Sequence, residues 1–218
     1  MTPGEVIAFF RSDMQDETAP YLWTEDDTYV YLTEAHSLFV RGIGGIPALI
    51  DLPFVAGEKE VDLPSSLLTF RRVQHPSDGR EIDIRNVEED DLHTPNYRTC
   101  LSGGRPTALL VGAARGKGYW RGTPTTSGTA EAAVYRSTEV VVCEGNLCQP
   151  DLFEIERRYH RDLVYGMAMQ ALMKSDAETY DKRRATEQAG MFMAQIDKAL
   201  GERDRANHRR RTVVYGGY

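Results

Sequence analysis

Cysteine is scarce in this chain, and what there is comes as an odd set: Cys100, Cys143 and Cys148. Three thiols cannot form a closed disulfide framework. Cys143 and Cys148 flank a Gly145-Asn146 turn signal, but reduced, partly buried thiols are the plainer reading. No apolar run approaches the roughly 18–20 residues that a membrane span requires. The acidic N-terminal stretch has no basic segment leading into an apolar one, so a secretory signal is not expected and cytoplasmic synthesis is the default. Five histidines, His36, His75, His93, His160 and His208, are scattered without a pair at metal-ligand spacing. Gly112-Ala113-Ala114-Arg115-Gly116-Lys117-Gly118 is one residue short of a phosphate loop, and Gly118 stands where a magnesium-binding hydroxyl is needed, which leaves a hairpin tip. Ser102 precedes Gly103-Gly104 without the surroundings of a nucleophile elbow. Glu88-Glu89-Asp90-Asp91 offers oxygen ligands for a hard cation, but a solvated acidic loop explains it as well. No acid–base pair, cofactor motif or metal set emerges, and an enzyme is not expected.

What the 218 residues do contain is ordinary for a globular protein, at 41% hydrophobic and 27% charged, with a net charge of −7. The charge is uneven. Through Glu34 there are eight acids against the single base Arg11, whereas Arg203 to Arg211 carries five arginines against Asp204. An acidic body argues against wrapping nucleic acid with the whole surface, so the basic end needs a local explanation.

Four capping boxes mark helix starts: Thr2-Pro3-Gly4-Glu5, Thr24-Glu25-Asp26-Asp27, Asp151-Leu152-Phe153-Glu154 and Ser175-Asp176-Ala177-Glu178. The spacing predicts helices over 3–14 and 24–41, the first apolar at Val6, Phe9, Phe10 and Met14, the second at Thr28, Leu32, Ala35 and Phe39. Gly42, Gly44, Gly45 and Pro47 stop the second. Short runs with turn signals follow. Residues 48–52 and 59–63 flank Ala56-Gly57-Glu58 as an expected hairpin, and 67–74 and 80–84 flank Ser77-Asp78-Gly79 as a stronger one. Residues 88–104 read as a long loop; 107–111, 118–121, 130–135 and 139–143 are further strands. A third helix is expected over 152–174 and a fourth over 176–205, the latter with Tyr180, Ala185, Gln188, Phe192, Ile196 and Ala199 along one side.

The third helix is apolar nearly all round from Leu163 onward. Such a helix must be covered on every side. It is either a central core helix or one partly covered by a neighbouring subunit, and in the second case Leu163, Tyr165, Met167, Met169 and Met173 are the candidate subunit contacts. Gly166 and Gly190 sit inside these helices at about 1 kcal/mol each relative to alanine, a cost that close backbone packing would offset. After the last helix, the arm 207–218 carries Arg209, Arg210, Arg211 and the strand-prone Thr212-Val213-Val214-Tyr215. Extended, it reaches roughly 40 Å. Ordering it costs on the order of 1–2 kcal/mol per residue, which points to a partner's surface, such as an open sheet edge.

Several short motifs, in order, resemble one family. Trp23-Thr24-Glu25 leads into Tyr31-Leu32-Thr33-Glu34-Ala35; Ala56-Gly57-Glu58 precedes Val61-Asp62-Leu63-Pro64; Asp78-Gly79-Arg80, Arg105-Pro106-Thr107 and Tyr159-His160 through Leu163-Val164 follow. The chain resembles the head-to-tail adaptor (connector) proteins of tailed bacteriophages. The resemblance implies an α+β fold: an antiparallel bundle of about four helices with an inserted antiparallel β subdomain and an extended C-terminal arm. The corresponding divisions are 1–47 and 150–206 for the bundle, 48–149 for the insertion and 207–218 for the arm. It also implies a structural virion protein of the neck, assembled in the host cytoplasm, forming a ring with itself, commonly twelve-fold. That ring would dock on the portal protein, continue the DNA channel without sequence-specific binding and offer a platform to tail or nozzle proteins. By that analogy Arg209, Arg210, Arg211, Val213, Val214 and Tyr215 carry docking. The alternative is a nucleic-acid-binding accessory protein using the arginine-rich arm. About four phosphate contacts would then give a salt slope of roughly −3.6.

Overall fold

The computed structural model describes residues 1–93, 105–139, 153–175 and 179–207. In chain order its elements are α1 (Pro3–Asp13), α2 (Glu25–Gly42), β1 (Ile46–Phe54), β2 (Glu60–Asp62), β3 (Leu67–Gln74), β4 (Glu81–Asn86), α3 (Val87–His93), β5 (Ala108–Ala114), β6 (Lys117–Trp120), β7 (Gly128–Arg136), a 3-10 segment (Arg157–Asp162), α4 (Leu163–Met173) and α5 (Lys182–Asn207). They form two compact units, one of Met1–Gly44 with Thr138–Tyr218 and one of Gly45–Ser137.

In the helical unit, both N-terminal boxes close as reciprocal pairs. Glu5 N–H donates to Thr2 Oγ1 (3.3 Å) while Thr2 N–H donates to Glu5 Oε2 (2.8 Å). At Thr24 the shorter Asp27 still reaches back, at 3.3 Å. Val6 and Phe10 of α1, Leu32, Ala35 and Phe39 of α2, Leu163 and Met167 of α4, and Phe192 and Ile196 of α5 are all buried. Phe39 centres on two aromatic neighbours, Tyr159 at 5.5 Å and Phe192 at 6.1 Å.

The third and fourth helices differ from their expected bounds. Residues 157–162 are 3-10, and α4 proper spans only Leu163–Met173. Here tertiary bonds override helical periodicity: Tyr159 turns its hydroxyl to Glu202 (2.7 Å) and His160 takes the Ile155 carbonyl (3.1 Å). Asp151 and Leu152 of the third box and most of the Ser175 box lie outside the described residues, and Phe153 and Glu154 are not helical. α5 starts instead after Asp181, whose Oδ1 accepts from Arg184 N–H at 3.0 Å.

The other unit is a seven-stranded sheet of order β1-β7-β3-β4-β5-β6-β2. The alternate residues Leu52 and Phe54 of β1, Val73 of β3, Ile82 of β4 and Ala130, Ala132 and Val134 of β7 face inward with Leu109 and Trp120. Pro47 and Pro53 stand on edge strand β1, where a missing N–H costs least.

The expected fold is corrected here. Among the described residues the chain is α+β with five α-helices and a curled seven-stranded sheet, not an antiparallel bundle with an inserted antiparallel subdomain. The sheet is mixed, because β4 and β5 run parallel, Ile84 opposite Leu109. A parallel pair needs a crossover, and α3, where a loop was expected, begins that connection. The Ala56-Gly57-Glu58 hairpin is also corrected: β1 pairs with β7 and β2 with β6. The turn is held from elsewhere, by Gly57 N–H to Pro124 O (2.9 Å) and Ala56 N–H to Ser127 Oγ (3.0 Å). The β3–β4 hairpin forms around Gly79 at φ +66°.

Candidate interaction surfaces

The polar clusters that invite a chemical reading are occupied by structure. Lys117, the cation of the would-be phosphate loop, is held by Glu60 at 2.5 Å and Asp62 at 2.7 Å. Hydrogen bonds donated to Asp62 and then to Glu60 keep its ammonium well above the usual lysine range. Within the acidic 88–91 run, Asp90 is buried rather than solvated, and it lies 3.3 Å from Arg85 and 3.1 Å from Arg121. Among the described residues no group of three or more His, Cys, Asp or Glu is placed to hold a metal ion. All three cysteines fall outside the described residues.

Two histidines are buried in the helical unit on either side of Phe153, His160 at 4.5 Å and His36 at 5.6 Å between ring centroids. His160 faces two carbonyls, Met1 O at Nδ1 (3.0 Å) and Ile155 O at Nε2 (3.1 Å). His36 Nδ1 meets Thr138 Oγ1 at 3.4 Å, and that hydroxyl donates to Glu154 at 2.5 Å. Burial lowers the His36 pKa to about 4, outweighing the nearby Glu154 charge, and burial lowers His160 as well. Both rings fasten the 153–160 segment to its surroundings.

The Trp23-Thr24-Glu25 motif builds a corner ahead of α2. Trp23 is buried edge-on to Phe10 at 5.6 Å. Asp16, also buried, accepts from Arg11 (2.6 Å) and from Leu22 N–H (2.7 Å), and Arg11 donates to Trp23 O (3.2 Å) while lying 3.8 Å over Tyr21. The motif is thus tied to structure in this chain.

The candidate contacts on α4 separate into two groups. Leu163 and Met167 are fully buried in the chain's own core, Tyr165 and Met169 are half-buried, and Met173 is 51% exposed. Arg209, Arg210, Arg211, Val213, Val214 and Tyr215 lie outside the described residues. Sequence periodicity, read for one buried stripe per helix, passed over a second set of apolar side chains. On α2, Val30 is 53% and Leu38 42% exposed; on α5, Met191 is 48% and Met193 54% exposed. Their signal was present as apolar residues off the inner stripe: Val30 and Leu38 lie away from Leu32, and Met191 and Met193 flank Phe192 on either side.

No curated protein matches the chain. A family model described as SU10 adaptor protein matches residues 1–215, so the chain belongs to that family of phage structural adaptors, components of the virion neck that join portal and tail parts.

Proposed function

We propose that the protein assembles as a ring, commonly twelve-fold in such adaptors, which seats on the portal, continues the DNA channel and presents a platform to tail or nozzle proteins. The family match over nearly the whole chain carries this reading. The exposed apolar side chains of the helical unit support it, because apolar surface left on a subunit is what assembly buries. On α4 the subunit contacts are assigned to Tyr165, Met169 and Met173, which reach the surface; Leu163 and Met167 serve the internal core.

The arm is assigned to the portal. Arg209, Arg210 and Arg211 supply charge for an acidic or carbonyl-lined groove, and Val213, Val214 and Tyr215 supply strand-forming side chains. DNA passes without sequence-specific contacts, consistent with the net charge of −7. Deleting 207–218 is the test. The truncated subunit should keep its thermal transition and lose portal binding in a pull-down. Undiminished portal binding would remove the arm from the account.

A further inference from the structure

Two helices of the same unit carry outer faces that match each other in chemistry. The outer face of α2 presents Val30 and Leu38 with Asp26, Asp27 and Glu34, against Arg41 and the Lys174 ammonium that pairs with Asp27 at 3.0 Å. The outer face of α5 is bordered on its two sides by Met191 and Met193, and the helix exposes Lys182, Arg183, Arg184, Lys198 and Arg205 against Glu187, Asp197 and Asp204. The first is apolar and acidic, the second apolar and basic.

α5 also departs from helix chemistry in two ways, the first offset in part by the Asp181 cap, which accepts from Arg184 N–H at 3.0 Å. Its first turn holds three cations and no acid, against the positive end of the dipole. Arg183 reaches Glu187 on its own helix at 3.3 Å, but a surface pair of that kind offsets little. Glycines stand at 190 and 201, where alanine would strengthen the helix. Among the described residues, a Cβ built on either meets no atom within 4 Å, whereas one on Gly166 would meet Ala35 at 2.9 Å. The two are eleven residues apart, about three turns, so they share one side of α5 with Ala194, between the exposed methionines. A bare backbone strip flanked by Met side chains admits a second helix closely.

We infer that the outer face of α5 receives the outer face of α2 from a second copy of this chain, a head-to-tail contact that repeats from subunit to subunit. It rests on the ring reading and names the surfaces that ring would use. Acid on α2 meets base on α5, Val30 and Leu38 meet Met191 and Met193, and the glycine strip sets the close approach. In the ring reading the contact is heterologous: the α5 face of each subunit receives the α2 face of the next, so it repeats from subunit to subunit.

The test blocks one face at a time in the full-length chain. Gly190→Trp fills the α5 strip at a position open in the folded subunit, and Leu38→Lys puts charge on the exposed α2 face. Each variant keeps the wild-type melting transition, which scanning fluorimetry checks. Alone, each is expected to lose ring formation in light scattering and negative-stain images. Mixed in equal amounts they retain one good α5 face and one good α2 face between them, and they form a one-to-one dimer that goes no further. A wild type that forms rings while both variants also do, or variants that stay monomeric when mixed, overturns the α2–α5 contact and leaves the ring reading standing. A wild type that stays monomeric, alone and with portal, overturns both.

Discussion

Gly166 and Gly190 are the same residue type in neighbouring helices, and the structure assigns them opposite fates. Replacing Gly166 with alanine adds a methyl group 2.9 Å from the Ala35 Cβ and 3.0 Å from two atoms of the Phe192 ring. Helix propensity favours the change by about 1 kcal/mol, but overpacking a tight core typically costs about 1–3 kcal/mol and the contact here involves a backbone-fixed Cβ that cannot turn away. A net loss of up to about 2 kcal/mol is expected. Gly190→Ala meets nothing within 4 Å among the described residues and keeps the propensity gain, so it should stabilise the subunit by up to about 1 kcal/mol. The two variants should therefore differ by the overpacking cost, about 1–3 kcal/mol. In a chain of this size that separates their melting temperatures by roughly 2–12 °C. Circular dichroism at 222 nm under conditions that hold the protein as a monomer reads the helical unit directly. A Gly166→Ala variant as stable as Gly190→Ala would refute the close packing of α2, α4 and α5.

Three further predictions follow from buried polar groups. Asp16→Ala leaves Arg11 buried without its carboxylate and removes acceptors from the Leu22 and Trp23 amides; a loss of about 3–5 kcal/mol is expected in urea denaturation, and a loss under 1 kcal/mol would contradict the corner. His36 has a folded pKa of about 4, below its unfolded value near 6.5, so the unfolded state binds the extra proton between them. Stability should be full above about pH 6.5 and fall as pH drops toward 4, by on the order of 3 kcal/mol, and His36→Gln should flatten the acid limb; an unchanged limb would remove His36 as its cause. Asp90→Asn should lower the midpoint of the sheet unit by leaving Arg85 and Arg121 without their shared anion, and a midpoint equal to wild type would show that the pair contributes nothing.

Local chemistry made the first two helices readable. Thr2 and Thr24 cap where their hydroxyl-x-x-acid spacing places them, and Gly42 ends α2. The β3–β4 hairpin was readable for the same reason, since Asp78-Gly79 carries its turn conformation within four residues. Pairings set by distant residues were not. Leu52 of β1 lies opposite Ala130 of β7, and nothing near either residue announces the other. Adjacency in sequence suggested a β1–β2 hairpin, but the 55–58 turn is bonded to Pro124 and Ser127 instead. The parallel register of Arg85 with Leu110 likewise has no local mark, because a strand buried in either direction shows the same apolar residues. On α4, composition showed that the helix must be covered but could not divide Leu163 and Met167, enclosed by the chain, from Met173 at its surface. Gly166 and Gly190 were legible as anomalies; only the space around them separates the one packed against Ala35 and Phe192 from the one with nothing within 4 Å.

The claim that this chain is an assembling adaptor is tested most directly by electron microscopy of the purified full-length protein mixed with its phage's portal particles. Closed rings of this chain seated coaxially on the portal are the predicted images. Bare portals beside single subunits, at concentrations well into the micromolar range, would contradict it.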